Sequence, residues 1–173
     1  RLADRHGVAH ERQVVGGSAA GPLIGTEPPF HAFLYACEEL RDLGTLGGQY
    51  SIANAINERG HIVGEASTPE FRNNRAFLFY RGEMKNLGTL PGGEFSSAKD
   101  INDKGQIVGG ASGPGWELGF LWQSGKMRAL NSLISSASGW SISNAAGINN
   151  NGQIAGTGCK AGVCYAVRLD PVP

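Results

Sequence analysis

The chain has 173 residues, with 15 Lys plus Arg against 15 Asp plus Glu and a formal net charge of zero. That balance lacks the basic excess of a nucleic-acid binder, and no apolar run reaches the ~18 residues of a membrane-spanning helix. Hydrophobic residues make up 40%, too many for a disordered chain, and glycine is the outlier at 27 residues; together they predict many short strands joined by tight turns.

Read from the N-terminus, the chain repeats itself. A worn first copy, Val8-Ala9-His10-Glu11-Arg12-Gln13-Val14-Val15-Gly16, aligns without gaps with Ile56-Asn57-Glu58-Arg59-Gly60-His61-Ile62-Val63-Gly64. The motif returns at Ile101-Asn102-Asp103-Lys104-Gly105-Gln106-Ile107-Val108-Gly109 and at Ile148-Asn149-Asn150-Asn151-Gly152-Gln153-Ile154-Ala155-Gly156. Each copy is followed by an apolar segment: His31-Ala32-Phe33, Arg75-Ala76-Phe77, Leu118-Gly119-Phe120 and Tyr165-Ala166-Val167. A third element, Asp42-Leu43-Gly44-Thr45-Leu46, recurs as Asn86-Leu87-Gly88-Thr89-Leu90 and, more loosely, as Ala129-Leu130-Asn131-Ser132-Leu133. The units fall at about 1–46, 47–91, 92–137 and 138–173.

Each unit reads as four short strands, A to D. In the third unit, A runs over 96–102 and B over 106–110; in the second, C covers 76–80 and D covers 83–90. The Asn-x-x-Gly between A and B is a turn signature, because the Asn side chain bonds its own backbone and Gly takes the left-handed position. Arg81-Gly82 and Ser124-Gly125 close the C–D hairpins in the same way. Four antiparallel strands per unit make the blade of a propeller, and four blades is the smallest ring. The expectation is an all-β chain, a small β-propeller in one domain of 173 residues. Its last blade is incomplete, since 138–173 holds no evident strand D.

The repeat resembles the HAF family of extracellular repeat proteins through His31-Ala32-Phe33, Asp42-Leu43-Gly44-Thr45-Leu46-Gly47-Gly48 and the Ile-Asn-x-x-Gly-x-Ile-Val-Gly copies. That resemblance implies a propeller-like exported protein and supplies no activity and no catalytic residues. With Arg1 at its start and no signal peptide visible, the chain reads as a processed or trimmed product, extracellular or periplasmic, monomeric or weakly oligomeric.

In such a blade, A–B and C–D turns lie on one face, and B–C and D–A loops on the other. The B–C loops, expected at 18–30, 66–74, 111–117 and 157–164, vary between copies, and function concentrates on loops displayed by a rigid scaffold. The loop face gathers Phe30, Tyr50, Phe71, Phe95, Trp116 and Trp140, with Glu70, Arg72, Glu94 and Glu117 beside them. Flat apolar rings flanked by polar groups suit a sugar or another small amphipathic ligand. Trp116, Phe71, Tyr50 and Trp140 are the candidate stacking residues, and Glu70, Arg72 and Glu117 the orienting ones; inter-blade packing is the competing role for Tyr50 and Phe95.

Chemistry beyond binding has thinner motives. Asp100, Asn102 and Asp103 put oxygen ligands on a glycine turn, as Ca²⁺ takes them, although ordinary turn chemistry accounts for the same residues. His6 aligns with Asn54, Lys99 and Ala146 on the innermost strand, where Asp100 also falls. Paired carboxylates Glu94 and Glu117 could act as general acid and base, so the alternative function is a hydrolase of esters, lactones or glycosides, aided by calcium. The histidines show no zinc spacing; His31 belongs to the repeat, and His61 replaces the glutamine of the other copies. Cys159 and Cys164 sit in a hairpin loop and are expected to bridge. Cys37 is then left over, as a buried thiol or a surface one able to link two molecules.

Overall fold

The computed structural model describes residues 13–21, 29–69 and 73–172. They form fourteen strands and two single 3₁₀ turns, 130–132 and 136–138. The first sheet holds β1 (Val14–Ala19), β2 (Phe30–Ala36) and β3 (Glu39–Asp42) in that order. The second is β4 (Ser51–Ile56), β5 (Ile62–Ser67), β6 (Asn74–Tyr80) and β7 (Glu83–Asn86). The third is β8 (Phe95–Ile101), β9 (Ile107–Gly113), β10 (Trp116–Gln123) and β11 (Lys126–Ala129). The fourth is β12 (Ser141–Ile148), β13 (Ile154–Lys160) and β14 (Val163–Leu169). Neighbouring strands pair antiparallel throughout. The fold is therefore all-β, four small sheets in a propeller-like array, one per sequence repeat. Among the described residues the fourth sheet has no outer strand.

The second and third sheets are covered on both faces, which is why the second strand of each opens on two adjacent aliphatic residues. Ile62 and Ile107 face the preceding blade, and Val63 and Val108 the following one; all four have no solvent exposure. At the first blade Val14, in the place of Ile62, is 52% exposed. At the last, Ala155 and Arg168 stand where the earlier blades carry Val63 or Val108 and Leu78 or Leu121, and both are exposed. Packing runs in chain order, with the inner strands β4, β8 and β12 each laid against the preceding sheet. Phe77 and Phe120, fully buried in these seams, each contribute roughly 2–3 kcal/mol of apolar burial.

The repeated motifs turn out to be joints. The register of the inner strands β4, β8 and β12 slips by one residue at Asn54, Lys99 and Ala146, and β12 slips once more at Ser143. This β-bulge pushes a carbonyl against the neighbouring strand. A Cβ on Gly64, Gly109 or Gly156 would lie 1.9, 2.0 or 2.2 Å from the carbonyl oxygens of Ile52, Ser97 or Asn144, so the last residue of the Ile-Val-Gly motif has to be glycine. Asp42 and Asn86 accept from the N–H of Gly44 and Gly88 two residues on, at 2.7 and 2.8 Å. Ser51 and Ser96, both buried, donate to the carbonyls of those same glycines and accept from the N–H of Ala32 and Ala76, tying each blade to the next.

Two connections differ from the sequence expectation. The stretches 111–117 and 157–164 are strand nearly throughout rather than loops. Pro114-Gly115 and Ala161-Gly162 make two-residue turns, with Gly115 and Gly162 at φ +79° and +80°, and strand pairing continues up to each turn.

Candidate functional site: an aromatic cleft on the loop face

Cys159 and Cys164 face each other across β13 and β14 and are joined by a disulfide, as expected. The bridge sits one residue pair back from the Ala161-Gly162 turn, and so pins the short hairpin that carries Lys160 and Tyr165. Trp140, at the entry to β12, meets the Tyr165 ring edge-on at 5.8 Å between centroids. The Lys160 ammonium stands over the Trp140 ring at 5.7 Å, within cation–π range. Ile134, Ser138, Val167 and Leu169 complete a cleft of about 880 Å³. Tyr165 remains 51% exposed. The cleft pairs apolar ring surface with a hydroxyl, an ammonium and a phenol, groups able to stack against a flat ring and hydrogen-bond its edges.

The other residues proposed from the sequence are spread along this face. Tyr50 stacks on Phe30, ring centroids 5.7 Å apart and nearly parallel. Burial, and next the charge of Glu65, push its phenol up from the ordinary tyrosine range. Trp116 is half-buried against the seam between the second and third sheets, beside a smaller hollow with Leu90, Pro91 and Leu118. Its ring fills the space that a side chain on Gly93 or Gly113 would need. Glu94 and Glu117 are exposed at the same end of the third sheet: the Glu94 N–H donates to the Ser112 carbonyl, and Glu117 lies opposite Ser112 in the register. Glu70, Phe71, Arg72 and His6 lie outside the described residues.

Asp100, Asn102 and Asp103 have their oxygens engaged. Asp100 accepts from the N–H of Ile101 and, in the next blade, of Ile148, at 2.8 and 2.7 Å. Asn102 accepts from the N–H of Lys104 and Gln106, and Asp103 from the N–H of Glu58. No group of three His, Cys, Asp or Glu side chains is placed to hold a metal among the described residues. His31 donates to Asp42 at 2.8 Å. Burial alone would raise the Asp42 carboxyl, but the hydrogen bonds from His31 and the Gly44 N–H and the nearby His31 charge outweigh it and hold the carboxyl below its usual range. His61 meets Tyr80 edge-on at 4.6 Å; burial first, and the Arg59 charge second, lower its pKa.

Three residues of this face went unread in the sequence. Lys160 and Tyr165 each follow a cysteine of the pair that was read, Cys159 and Cys164. Glu65 occupies a position that is glycine in two sister blades, Gly17 and Gly110. With its side chain only 14% exposed, it accepts from Asn74 at 3.0 Å and faces Lys99 at 4.0 Å across the seam.

Sheets, seams and repeats together define a propeller-like all-β repeat protein. The chain belongs to a family described as a protein of unknown function (DUF3466), whose family model matches residues 44–167. Comparison with curated proteins and with solved structures returned no match. The described residues contain one disulfide, and none of their helices is long and apolar enough to cross a membrane.

Proposed function

We propose that the protein is an exported binding module whose ligand, a carbohydrate or another amphipathic cell-surface molecule, sits in the cleft at Trp140, Tyr165 and Lys160. The observation that carries this reading is the aromatic pair of Trp140 and Tyr165, the latter on the disulfide-pinned hairpin, in a hollow of about 880 Å³. A ring face stacks on the indole, while Lys160 and Ser138 reach its polar edge. Export is supported by the disulfide, which persists in oxidising compartments, and by the resemblance of the repeat to the HAF family of extracellular proteins. The repeated motifs are absorbed in joining blades, which leaves the variable loop face to carry recognition.

A glycan array, followed by acrylamide quenching of tryptophan fluorescence with each hit, tests the reading. A ligand should protect the wild type from quenching, and Trp140→Ala and Tyr165→Ala should each weaken binding at least tenfold. Absence of any hit, or hits bound equally well by both variants, ends this assignment.

A further inference from the structure

The polar groups of the aromatic cleft are weighted toward donors. Its polar side chains are Ser138, Trp140, Lys160, Tyr165 and Arg168. Two of these are cations, one is an indole N–H, and two are hydroxyls that donate as well as accept. Among the described residues that line the cleft there is no carboxylate and no side-chain amide. Ser138 already accepts from the backbone N–H of Trp140 at 3.3 Å, which leaves its own O–H to donate. The indole N–H and the Tyr165 hydroxyl have no hydrogen-bond partner among the described residues. Such a wall is matched by a ligand rich in acceptors, and hydrogen bonds to an ionised acceptor are the stronger ones.

The two cations are not equivalent. Arg168 is already paired, its Nε 3.2 Å from the Asp170 carboxylate. Lys160 has no acidic partner among the described residues. Its ammonium stands over the Trp140 ring at 5.7 Å, near the outer limit of about 6 Å for cation–π attraction. Its stem is also placed. The Lys160 Cε lies 3.5 Å from where a Cβ on Gly139 would stand, so the side chain is laid along the entry to β12 toward the indole. The Cys159–Cys164 bridge fixes the hairpin from which it starts. The cleft therefore holds an unpaired positive charge at the edge of a stacking surface.

We infer that the cleft selects an acidic sugar, a pyranose bearing a carboxylate or a sulfate ester, with its ring on Trp140 and its anionic group on Lys160. The inference rests on the cleft being the ligand site. A cationic or amine-bearing ring is disfavoured, because it would meet the ammonium with no carboxylate of the cleft to answer it. A lysine is a compact point charge, so it accepts either anion. Because Lys160 is exposed, its pairing contributes a modest factor in affinity and weakens with salt.

A glycan array of matched pairs tests the selectivity: oligomers of glucuronic acid, of galacturonic acid and of sulfated galactose, each beside its neutral counterpart. Calorimetry on the best pair then gives the affinity ratio. At low salt an acidic member should bind about fivefold or more tighter than its neutral counterpart, and the gap should close at about 0.5 M salt. Whether a carboxylate or a sulfate leads, the inference is supported, and the tighter one names the anion. Lys160→Met keeps an apolar stem against Gly139 without the charge, and should bring acid and neutral sugar to equal affinity. Neutral members bound as tightly as their acids, or a preference that survives in Lys160→Met, overturn the inference and leave the cleft a binding site for uncharged sugars. Failure of every pair also overturns it, and a Trp140-dependent hit elsewhere on the array then decides the wider reading separately.

Discussion

The side-chain amide of Asn57 donates to the backbone carbonyl of Asn102, one blade further on, at 3.0 Å. Asn102 does the same to Asn149, also at 3.0 Å. Each asparagine meanwhile folds its own turn: the side-chain oxygen of Asn57 takes the N–H of Arg59 and His61, and that of Asn102 the N–H of Lys104 and Gln106. One residue type thus closes the A–B hairpin with its oxygen and ties the array together with its nitrogen. The carboxylate of Asp103, which bonds Glu58 N–H and Asn150, runs as a second rail beside it.

Asn102→Ala is therefore expected to cost about 3 kcal/mol, as a 3% exposed residue whose loss strands buried donors and an acceptor at roughly 1 kcal/mol or more each. Asn149→Ala should cost about 1 kcal/mol, because Asn149 is exposed and its unpaired groups return to water. Urea unfolding of both variants measures the difference. Equal losses would show that the inter-blade rung contributes nothing.

Gly109→Ala should destabilise by about 3 kcal/mol or more, since its methyl would meet the Ser97 carbonyl and not a yielding side chain. Gly105→Ala makes the useful contrast. It meets nothing within 4 Å but sits at φ +76°, so its cost is conformational, about 1 kcal/mol. Thermal unfolding of the pair separates close approach from backbone strain; a Gly109→Ala protein as stable as the wild type would contradict the bulge geometry.

Much of this fold was legible because repeats, glycine turns and paired aliphatic residues are local patterns. Asn-x-x-Gly announced a hairpin through the asparagine oxygen, whose bonds stay within five residues. The nitrogen's reach into the next blade depends on how blades stack, and no single copy encodes that. The same ambiguity surrounded Asp100, Asn102 and Asp103: a turn, an inter-blade rung and a calcium ligand all draw on the same oxygen atoms. Of the site, Trp140 was readable as a loop aromatic. Tyr165 sits inside a strand, in the register place that Arg75 and Leu118 take in the second and third blades, and no local pattern marks it as exposed. Glu65 was readable in principle, as a carboxylate where two sister blades keep glycine.

Glu38→Gly should stabilise the protein by about 0.5–1 kcal/mol. Glu38 holds φ 64° in the outer hairpin of the first blade, where the second and third blades use Gly82 and Gly125. Relief of left-handed strain outweighs the extra freedom glycine gives the unfolded chain. Differential scanning calorimetry should find a raised midpoint. A lowered one would mean that the Glu38 backbone carries no strain.

His61 is a pH-sensitive position among the described residues. Burial against Tyr80, with the Arg59 charge as the lesser cause, lowers its pKa in the folded protein. The unfolded chain therefore binds this proton first as pH falls. The stabilising contribution is complete above the ordinary histidine value of about 6.5 and is lost as pH descends through it toward the lower folded value. Substituting the residue that the sister blades use, His61→Gln, removes that slope. It also offers Asn57 the side-chain acceptor that Gln106 and Gln153 give Asn102 and Asn149, at 2.7 and 2.8 Å. Urea unfolding at pH 7.5, 6 and 5 should show the wild type losing stability over this interval relative to His61→Gln. Parallel curves for the two proteins would mean that His61 titrates alike in the folded and unfolded states.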